Sequence, residues 1–292
     1  MAAELSPRSK IWLGVASVPI ILYTLLPIGW ILSLSLKSNG SITDRAYLSM
    51  NKKAWSWDNY RYILTGAGGK LFKPALVNSI FICLVATVVG VALSTFAAYG
   101  IARLDFPGKR LVLNTALLTA FFPVISIVTP LFNLWRSIGL YNTTLGLIIP
   151  YLSLTLPISI WTLTAFFRQI PWEMEQAAQV DGATSWQAFR KVVFPLAAPG
   201  VFTVAIISFF TAWNDFVYAI SLSSTTGSTA PHFTGSQTVP AVLGFFQGPS
   251  QFIPPTGYVA AAAVIVTIPV VVLVLFFQKR IVAGLTAGAV KG

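Results

Sequence analysis

The sequence predicts an all-α integral membrane protein with six transmembrane helices, on two observations. First, 55% of its 292 residues are hydrophobic and only 9% are charged, whereas a soluble protein carries roughly 25% charged residues. Second, six apolar stretches reach the length of about 20 residues that a helix needs to span the hydrocarbon core. They cover residues 11–36, 74–102, 111–134, 147–167, 197–222 and 257–278. We expect residues 1–292 to form a single transmembrane domain.

The first stretch, residues 11–36, is expected to remain in the protein as a helix. It exceeds the apolar region of a signal peptide, which spans about 7–15 residues, and it lacks a clear small-x-small cleavage site. Several of the stretches carry prolines, which remove a backbone donor and favour kinks that neighbouring helices can compensate. Among these prolines are Pro19, Pro27, Pro123, Pro130, Pro150 and Pro157.

The placement of the basic residues favours a cytoplasmic N-terminus. An even number of spans puts both termini on one side, and cytoplasmic segments carry the excess of Lys and Arg. In this orientation the inner segments, including a tail at 279–292, hold eleven of the 19 basic residues. The first outer loop, residues 37–73, holds seven of the other eight and argues against it. Whether this basic loop contacts lipid headgroups or an external partner stays open.

Composition also excludes several function classes. The net charge of +11 is scattered in short clusters between apolar runs, so it does not indicate nucleic-acid binding. Cys83 is the only cysteine and His232 the only histidine. The sequence therefore excludes a disulfide framework and a cysteine–histidine zinc site within this chain. We expect no metal and no cofactor in this chain.

One loop, residues 169–195, is long and amphipathic. Pro171 suits a first helical turn, and the acidic residues that follow favour the helix N-terminus, so we expect a helix to about Val180. Asp181-Gly182 predicts a turn, and Thr184 with Gln187 fits a capping box that starts a second helix ending before Pro195. An amphipathic connector resting on lipid headgroups is equally compatible with this geometry.

This loop resembles the coupling loop of binding-protein-dependent ABC importer permeases of type I. The resemblance implies a helix–turn–helix that sits in a cleft of a cytoplasmic ATPase and transmits its ATP-driven closure to the pore. The residues it singles out for coupling are Glu175, Ala177, Ala178, Asp181, Gly182, Ala183, Phe189 and Pro195. One departure is Gln176, where the family has a glutamate, and this puts one ionic contact with the ATPase in doubt.

The resemblance extends over nearly the whole chain. Phe106-Pro-Gly-Lys-Arg110, Ala212-Trp-Asn-Asp-Phe216 and the tail Gly284–Gly292 are similar to the maltose-permease type, which imports oligosaccharides. Residues 121–133 and the tail are most similar to trehalose-importing permeases of mycobacteria. The implied substrate is a disaccharide such as trehalose, although the resemblance fixes neither the sugar nor the helices that line its path.

Four residues are candidates for the solute path. Asp215 lies in the fifth stretch, where an aspartate costs roughly 2.5–3.5 kcal/mol at the membrane centre and usually faces a wet cavity. Asn214 could bond sugar hydroxyls and Trp213 could stack on a sugar face, while Asn78 raises the same question in the second stretch. The alternative is that these side chains form structural hydrogen bonds between helices.

An importer needs ATP, yet no Gly-x-x-x-x-Gly-Lys-Ser/Thr motif occurs in the sequence. We therefore expect a non-catalytic subunit of the bacterial cytoplasmic membrane, with ATP and magnesium bound by a separate ATPase. The resemblance further implies a second homologous permease and an extracytoplasmic solute-binding protein. An intramembrane enzyme would need a nucleophile with a base or clustered metal ligands, whereas the only histidine, His232, lies in a loop. The alternative function is an ion-gradient-driven secondary transporter. Such a transporter would commonly show two related halves, and no internal repeat is apparent in this sequence.

Overall fold

Long apolar helices make up most of the described chain. The computed structural model describes residues 7–38, 55–224, 235–247 and 254–289, and the side chains among these from 14 to 277. His232 and residues 290–292 of the tail lie outside the described residues. We number the helices α1 (Pro7–Ser35), α2 (Asp58–Leu64), α3 (Gly69–Arg103), α4 (Lys109–Ala120), α5 (Val124–Ser137), α6 (Thr144–Gln169), α7 (Trp172–Val180), α8 (Ser185–Ala188), α9 (Phe194–Trp213), α10 (Val217–Leu222), α11 (Val239–Leu243) and α12 (Thr256–Ala289).

The predicted fold class is confirmed, with one qualification in the third stretch. Five helical segments of the described chain are long and apolar enough to cross a membrane, and a sixth span results if α4 and α5 are counted together. Instead of one helix at 111–134, these two helices meet at 91°. Pro123 has no amide hydrogen and an extended ψ of 117°, so helical bonding stops before it and restarts at Val124.

The fifth stretch differs from its expected course at both ends. The helix predicted to end before Pro195 instead continues from Ser185 through a π-helical turn, Phe189–Val193, into α9. A π turn accommodates the missing amide hydrogen of Pro195, which occupies the first turn of α9. At its other end α9 stops at Trp213, and residues 214–216 separate it from α10.

The chain forms two compact units. One comprises residues 1–73 and 245–268, the other 74–244 and 269–292. In the first unit, the Asn59 amide donates to the carbonyl oxygens of Ser35 at 2.9 Å and Lys37 at 2.7 Å. The rings of Tyr62 and Tyr258 stack at 3.9 Å between centroids. Tyr62 of the first predicted loop therefore packs within this unit.

The core of the second unit packs α6 against α9. Gly200 allows a close approach, since a Cβ atom there would lie 2.5 Å from the ring of Phe166. The hydroxyls of Ser159 and Ser208 are 3.1 Å apart across the same interface. A cluster of buried apolar residues continues from this interface to the loop between α6 and α9 and so fixes that loop on the bundle.

Candidate functional site

The loop between α6 and α9 forms the helix–turn–helix segment, residues 172–193. The predicted first helix is confirmed as α7, and the predicted turn is confirmed at Gly182, whose φ of +88° favours glycine. The capping box is also confirmed. The Thr184 hydroxyl accepts from the Gln187 amide at 3.3 Å, and the Gln187 side chain accepts from the Thr184 amide at 2.8 Å.

Glu175 anchors the first helix of this segment to the end of α3. Its side chain is 3% exposed, and its Oε2 lies 3.2 Å from the Nε of Arg103. The Tyr99 hydroxyl donates to Oε1 of the same carboxylate. Arg103 also donates to the Ile170 carbonyl at 3.0 Å, and its guanidinium lies 5.1 Å from the ring centre of Trp172. The start of α7 is thus held by charge and hydrogen bonding.

Phe189 anchors the second helix by apolar packing. Its ring is buried, with ring centroids 4.6 Å from Tyr99 and 6.5 Å from Phe167. Trp186 stacks on the same ring, with 5.4 Å between centroids. Phe189 therefore joins the segment to both α3 and α6, because Tyr99 and Phe167 belong to those helices.

The turn between the two helices is exposed. Ala177, Asp181 and Gly182 are exposed, and Ala178 and Ala183 are partly exposed. Val180 is 86% exposed, the highest value among the exposed large hydrophobic side chains described. Small side chains around an exposed valine form a projecting tip that another protein could enclose.

The residues predicted for coupling therefore divide into two groups. Glu175 and Phe189 face the protein's own helices, while the small residues and Asp181 form the tip. Pro195 is exposed and lies at the start of α9. Sequence reasoning missed Tyr99 and Arg103 as partners of the segment. Only an alignment showing Arg103 and Glu175 varying together could have found them, since 72 residues separate the two in sequence.

The four solute-path candidates do not form one cluster of free polar groups. Trp213 is buried and stacks on Phe209 with ring centroids 5.3 Å apart. The Asn214 amide donates to the Phe210 carbonyl at 2.8 Å and ends α9. Asn78 donates to carbonyls of the segment before α11, each at 3.2 Å. Asn78 thus makes the structural hydrogen bonds of the alternative, whereas Trp213 packs within its own helix and Asn214 is exposed.

Asp215 holds the start of α10. Its carboxylate accepts from the amides of Tyr218 at 3.4 Å and Ala219 at 3.0 Å. These are amides of the first turn, which have no partner within the helix. Among the described residues, no group of three His, Cys, Asp or Glu side chains could hold a metal ion.

Comparison with known proteins gives consistent matches. The family model for binding-protein-dependent transport system inner membrane components matches residues 90–286. The chain is 51% identical to the trehalose transport system permease protein SugB of Mycobacterium tuberculosis, over 98% of both chains. It is 36% identical to the trehalose/maltose transport system permease protein MalG of Thermococcus litoralis, over 97% of both.

One solved structure has a closely similar fold. A chain of a bacterial ABC transporter involved in the import of the acidic polysaccharide alginate superposes with a TM-score of 0.72 at 23% identity. The match covers 94% of this chain and 98% of that one. At this identity the likeness concerns the fold.

Proposed function

This chain belongs to the family of binding-protein-dependent transport system inner membrane components, and on that premise we propose that it is the pore-forming permease subunit of an ATP-driven importer for a disaccharide such as trehalose. The sugar assignment is supported by 51% identity to a trehalose permease over 98% of both chains. A second relative, 36% identical, is named for trehalose and maltose.

The observation that carries the mechanism is the projecting tip of the helix–turn–helix segment. Its small exposed residues Ala177 and Gly182 suit a cleft, while Glu175 and Phe189 join the segment to α3 and α6. A push on the tip would therefore move two spanning helices directly. The tip is the surface through which a cytoplasmic ATPase acts on this chain.

The importer requires partners that supply what this chain lacks. The sequence has no phosphate-binding loop, so ATP and magnesium are bound by ATPase subunits docked on the tip. A second homologous permease closes the other side of the path, and an extracytoplasmic binding protein delivers the sugar. The complex alternates between inward-open and outward-open states, with ATP binding favouring the outward-open one.

In this assembly the chain crosses the bacterial cytoplasmic membrane with both termini in the cytoplasm. Arg103 and Arg168 lie in the last turns of α3 and α6. These are the helix ends nearest the helix–turn–helix segment. This agrees with the excess of basic residues in cytoplasmic segments. The basic first loop then lies outside, where it is available to the binding protein or to lipid headgroups.

The first test is co-purification of the tagged chain from its native membrane in mild detergent. We expect an ATPase and a second permease at stoichiometric level. Vesicles reconstituted with this complex and its binding protein should accumulate trehalose only with hydrolysable ATP.

An ion-gradient-driven carrier predicts a different result in the same vesicles. Uptake would then continue without ATP and would stop when an ionophore removes the gradient. That outcome, together with recovery of the chain alone, would overturn the importer assignment.

A further inference from the structure

The bend between α4 and α5 lies beside a cavity of about 610 Å³. Thr115 and Thr119 of α4, Phe122 of the bend, Ser153 of α6 and Tyr218 of α10 contribute to its walls. The volume lies within the range of about 300–1,000 Å³ that is usual for small-molecule sites. The cavity is bordered by residues from both interruptions of the spanning helices. Phe122 lies between α4 and α5, and Tyr218 lies in α10, just after the break that ends α9.

The cavity is at the depth of the hydrocarbon core. Ser153 is the tenth of the 26 residues of α6, which places it about 14 Å from one end of the helix and about 24 Å from the other at 1.5 Å per residue. Residues 121–123 at the bend are not helical. Non-helical backbone at this depth is tolerated only where protein buries it or where it lines a water-filled cavity.

The walls present hydroxyl groups suited to a polyol. The hydroxyls of Thr119 and Ser153 donate to carbonyls of their own helices at 2.7 Å and 2.6 Å. The Ser153 hydroxyl also interacts with the side chain of Tyr218. Because a hydroxyl oxygen has two lone pairs, both residues can still accept a hydrogen bond. Leucine, isoleucine, valine, alanine and proline side chains complete the lining, so the few polar groups set the orientation of a ligand.

Two aromatic rings add a second kind of contact. Phe122 is 56% exposed at the bend, and Tyr218 lies across the cavity on α10. Asp215 fixes the first turn of α10 through the amides of Tyr218 and Ala219. Asp215 is in this way a positioning residue for a wall of the cavity, which explains a carboxylate at this place without direct contact with the solute.

We propose that this cavity, named here the bend cavity, is a sugar-contacting site of the translocation path, with Thr119 and Ser153 accepting hydrogen bonds from sugar hydroxyls and Phe122 packing against a sugar face. The inference rests on the proposed function, because a sugar reaches this depth only if the chain imports one.

Cysteine protection tests the site directly. Cys83 is the only native cysteine and is 1% exposed, so Ser153→Cys provides one reactive thiol in this chain. The full complex with its binding protein is treated with a membrane-impermeant maleimide, with and without trehalose. At trehalose about ten times its Kd, labelling of this chain should slow roughly tenfold.

A matched control and a second readout separate the site from general effects. Ser137→Cys, at the exposed end of α5 and outside the cavity lining, should react equally with and without trehalose. Ser153→Ala and Thr119→Val should raise the half-saturating trehalose concentration for uptake roughly threefold to tenfold, the effect of one hydrogen bond.

The possible failures are distinguishable. If the wild-type complex imports trehalose but Ser153→Cys is unreactive or reacts at the same rate with and without it, the bend cavity is not on the path and the proposed function stands. If the wild-type complex imports no sugar, both proposals are overturned.

Discussion

The carboxylate of Glu175 shows how a single residue fixes the functional segment. It is buried at the start of α7, where it pairs with Arg103 and accepts a hydrogen bond from Tyr99. Taking two charges out of water costs free energy, and the loss is recovered only when the partners are well placed. A buried pair of this kind is weak evidence for stability, but its contacts join α7 to the end of α3.

We expect Glu175→Gln to destabilise the complex. The substitution keeps the shape of the side chain but leaves the buried guanidinium of Arg103 without its counterion, which costs about 3–5 kcal/mol. The measurement is thermal unfolding of the purified complex, and the Tm should fall by several degrees.

Asp105→Asn is the matched control for this prediction. Asp105 pairs with Lys109 at 2.8 Å, but its side chain is 99% exposed. The hydrogen bond from Lys109 lowers the pKa of Asp105, yet solvent screens the pair and we expect no measurable change in Tm. Equal Tm shifts for the two variants would contradict a structural role for Glu175.

A second residue prediction concerns the tip. Gly182→Glu should uncouple ATP hydrolysis from sugar uptake, because a bulky charge would then occupy the surface proposed to enter the ATPase. The glycine has a φ of +88°, so the backbone strain of the substitution is about 1–2 kcal/mol. The measurement is the ratio of trehalose transported to ATP hydrolysed in vesicles.

Gly108→Glu controls for the strain alone. Gly108 has a φ of +84°, and at both glycines a Cβ atom would meet nothing within 4 Å. We expect Gly108→Glu to keep the normal ratio. A Gly182→Glu complex that transports with unchanged stoichiometry would show that the tip is not the coupling surface.

At the scale of helices, close packing joins the functional segment to the bundle. The π turn at Phe189–Val193 makes α8 and α9 one continuous helical rod from the tip into the membrane. The rod packs on α6 at Gly200, where the ring of Phe166 occupies the space that a side chain would need. Small residues at such crossings allow helices to approach in a membrane.

Gly200→Ala should therefore loosen the contact between α6 and α9. The new Cβ would lie 2.5–2.8 Å from ring atoms of Phe166, and overpacking of this kind costs typically about 1–3 kcal/mol. Thermal unfolding of the complex measures the loss. Gly100→Ala in α3 is the control, since its nearest neighbour would be 4.0 Å away. Equal Tm values for both variants would exclude a tight packing role for Gly200.

At the scale of the whole molecule, the distribution of basic residues and the number of spans together favour a cytoplasmic N-terminus. With α4 and α5 counted as one span, the count is even and both termini share a side. The inner segments then carry eleven basic residues against eight outside. Because the first outer loop holds most of those eight, the orientation needs a direct measurement.

Reporter fusions measure the orientation of the chain in the membrane. A fluorescent protein after Gly292 or inserted after Gly182 should fluoresce, since these sites are expected inside. Alkaline phosphatase inserted after Gly139, between α5 and α6, should be active, because this enzyme folds only outside the cytoplasm. The reverse pattern of signals would invert the proposed topology and remove the tip from reach of a cytoplasmic ATPase.

The sequence by itself determined the local features of this protein. Apolar length defined the membrane spans, and the residues Pro171, Gly182 and Thr184 defined the ends and the turn of the functional segment. These features depend on one stretch of chain at a time, through backbone hydrogen bonding and glycine or proline conformations. The break after Ala120 was less visible, because a proline inside an apolar run fits a mild kink as well as a 91° bend. The break after Trp213 contains no proline and lies between apolar residues on both sides.

Only the tertiary structure decided which contacts each polar residue makes. It joined Glu175 to Tyr99 and Arg103, assigned Asp215 to the start of α10, and placed Thr119 and Ser153 at one cavity. In sequence, an aspartate that caps a helix looks the same as one that faces a solute. The difference lies in contacts between residues far apart along the chain, which arise only when the helices pack.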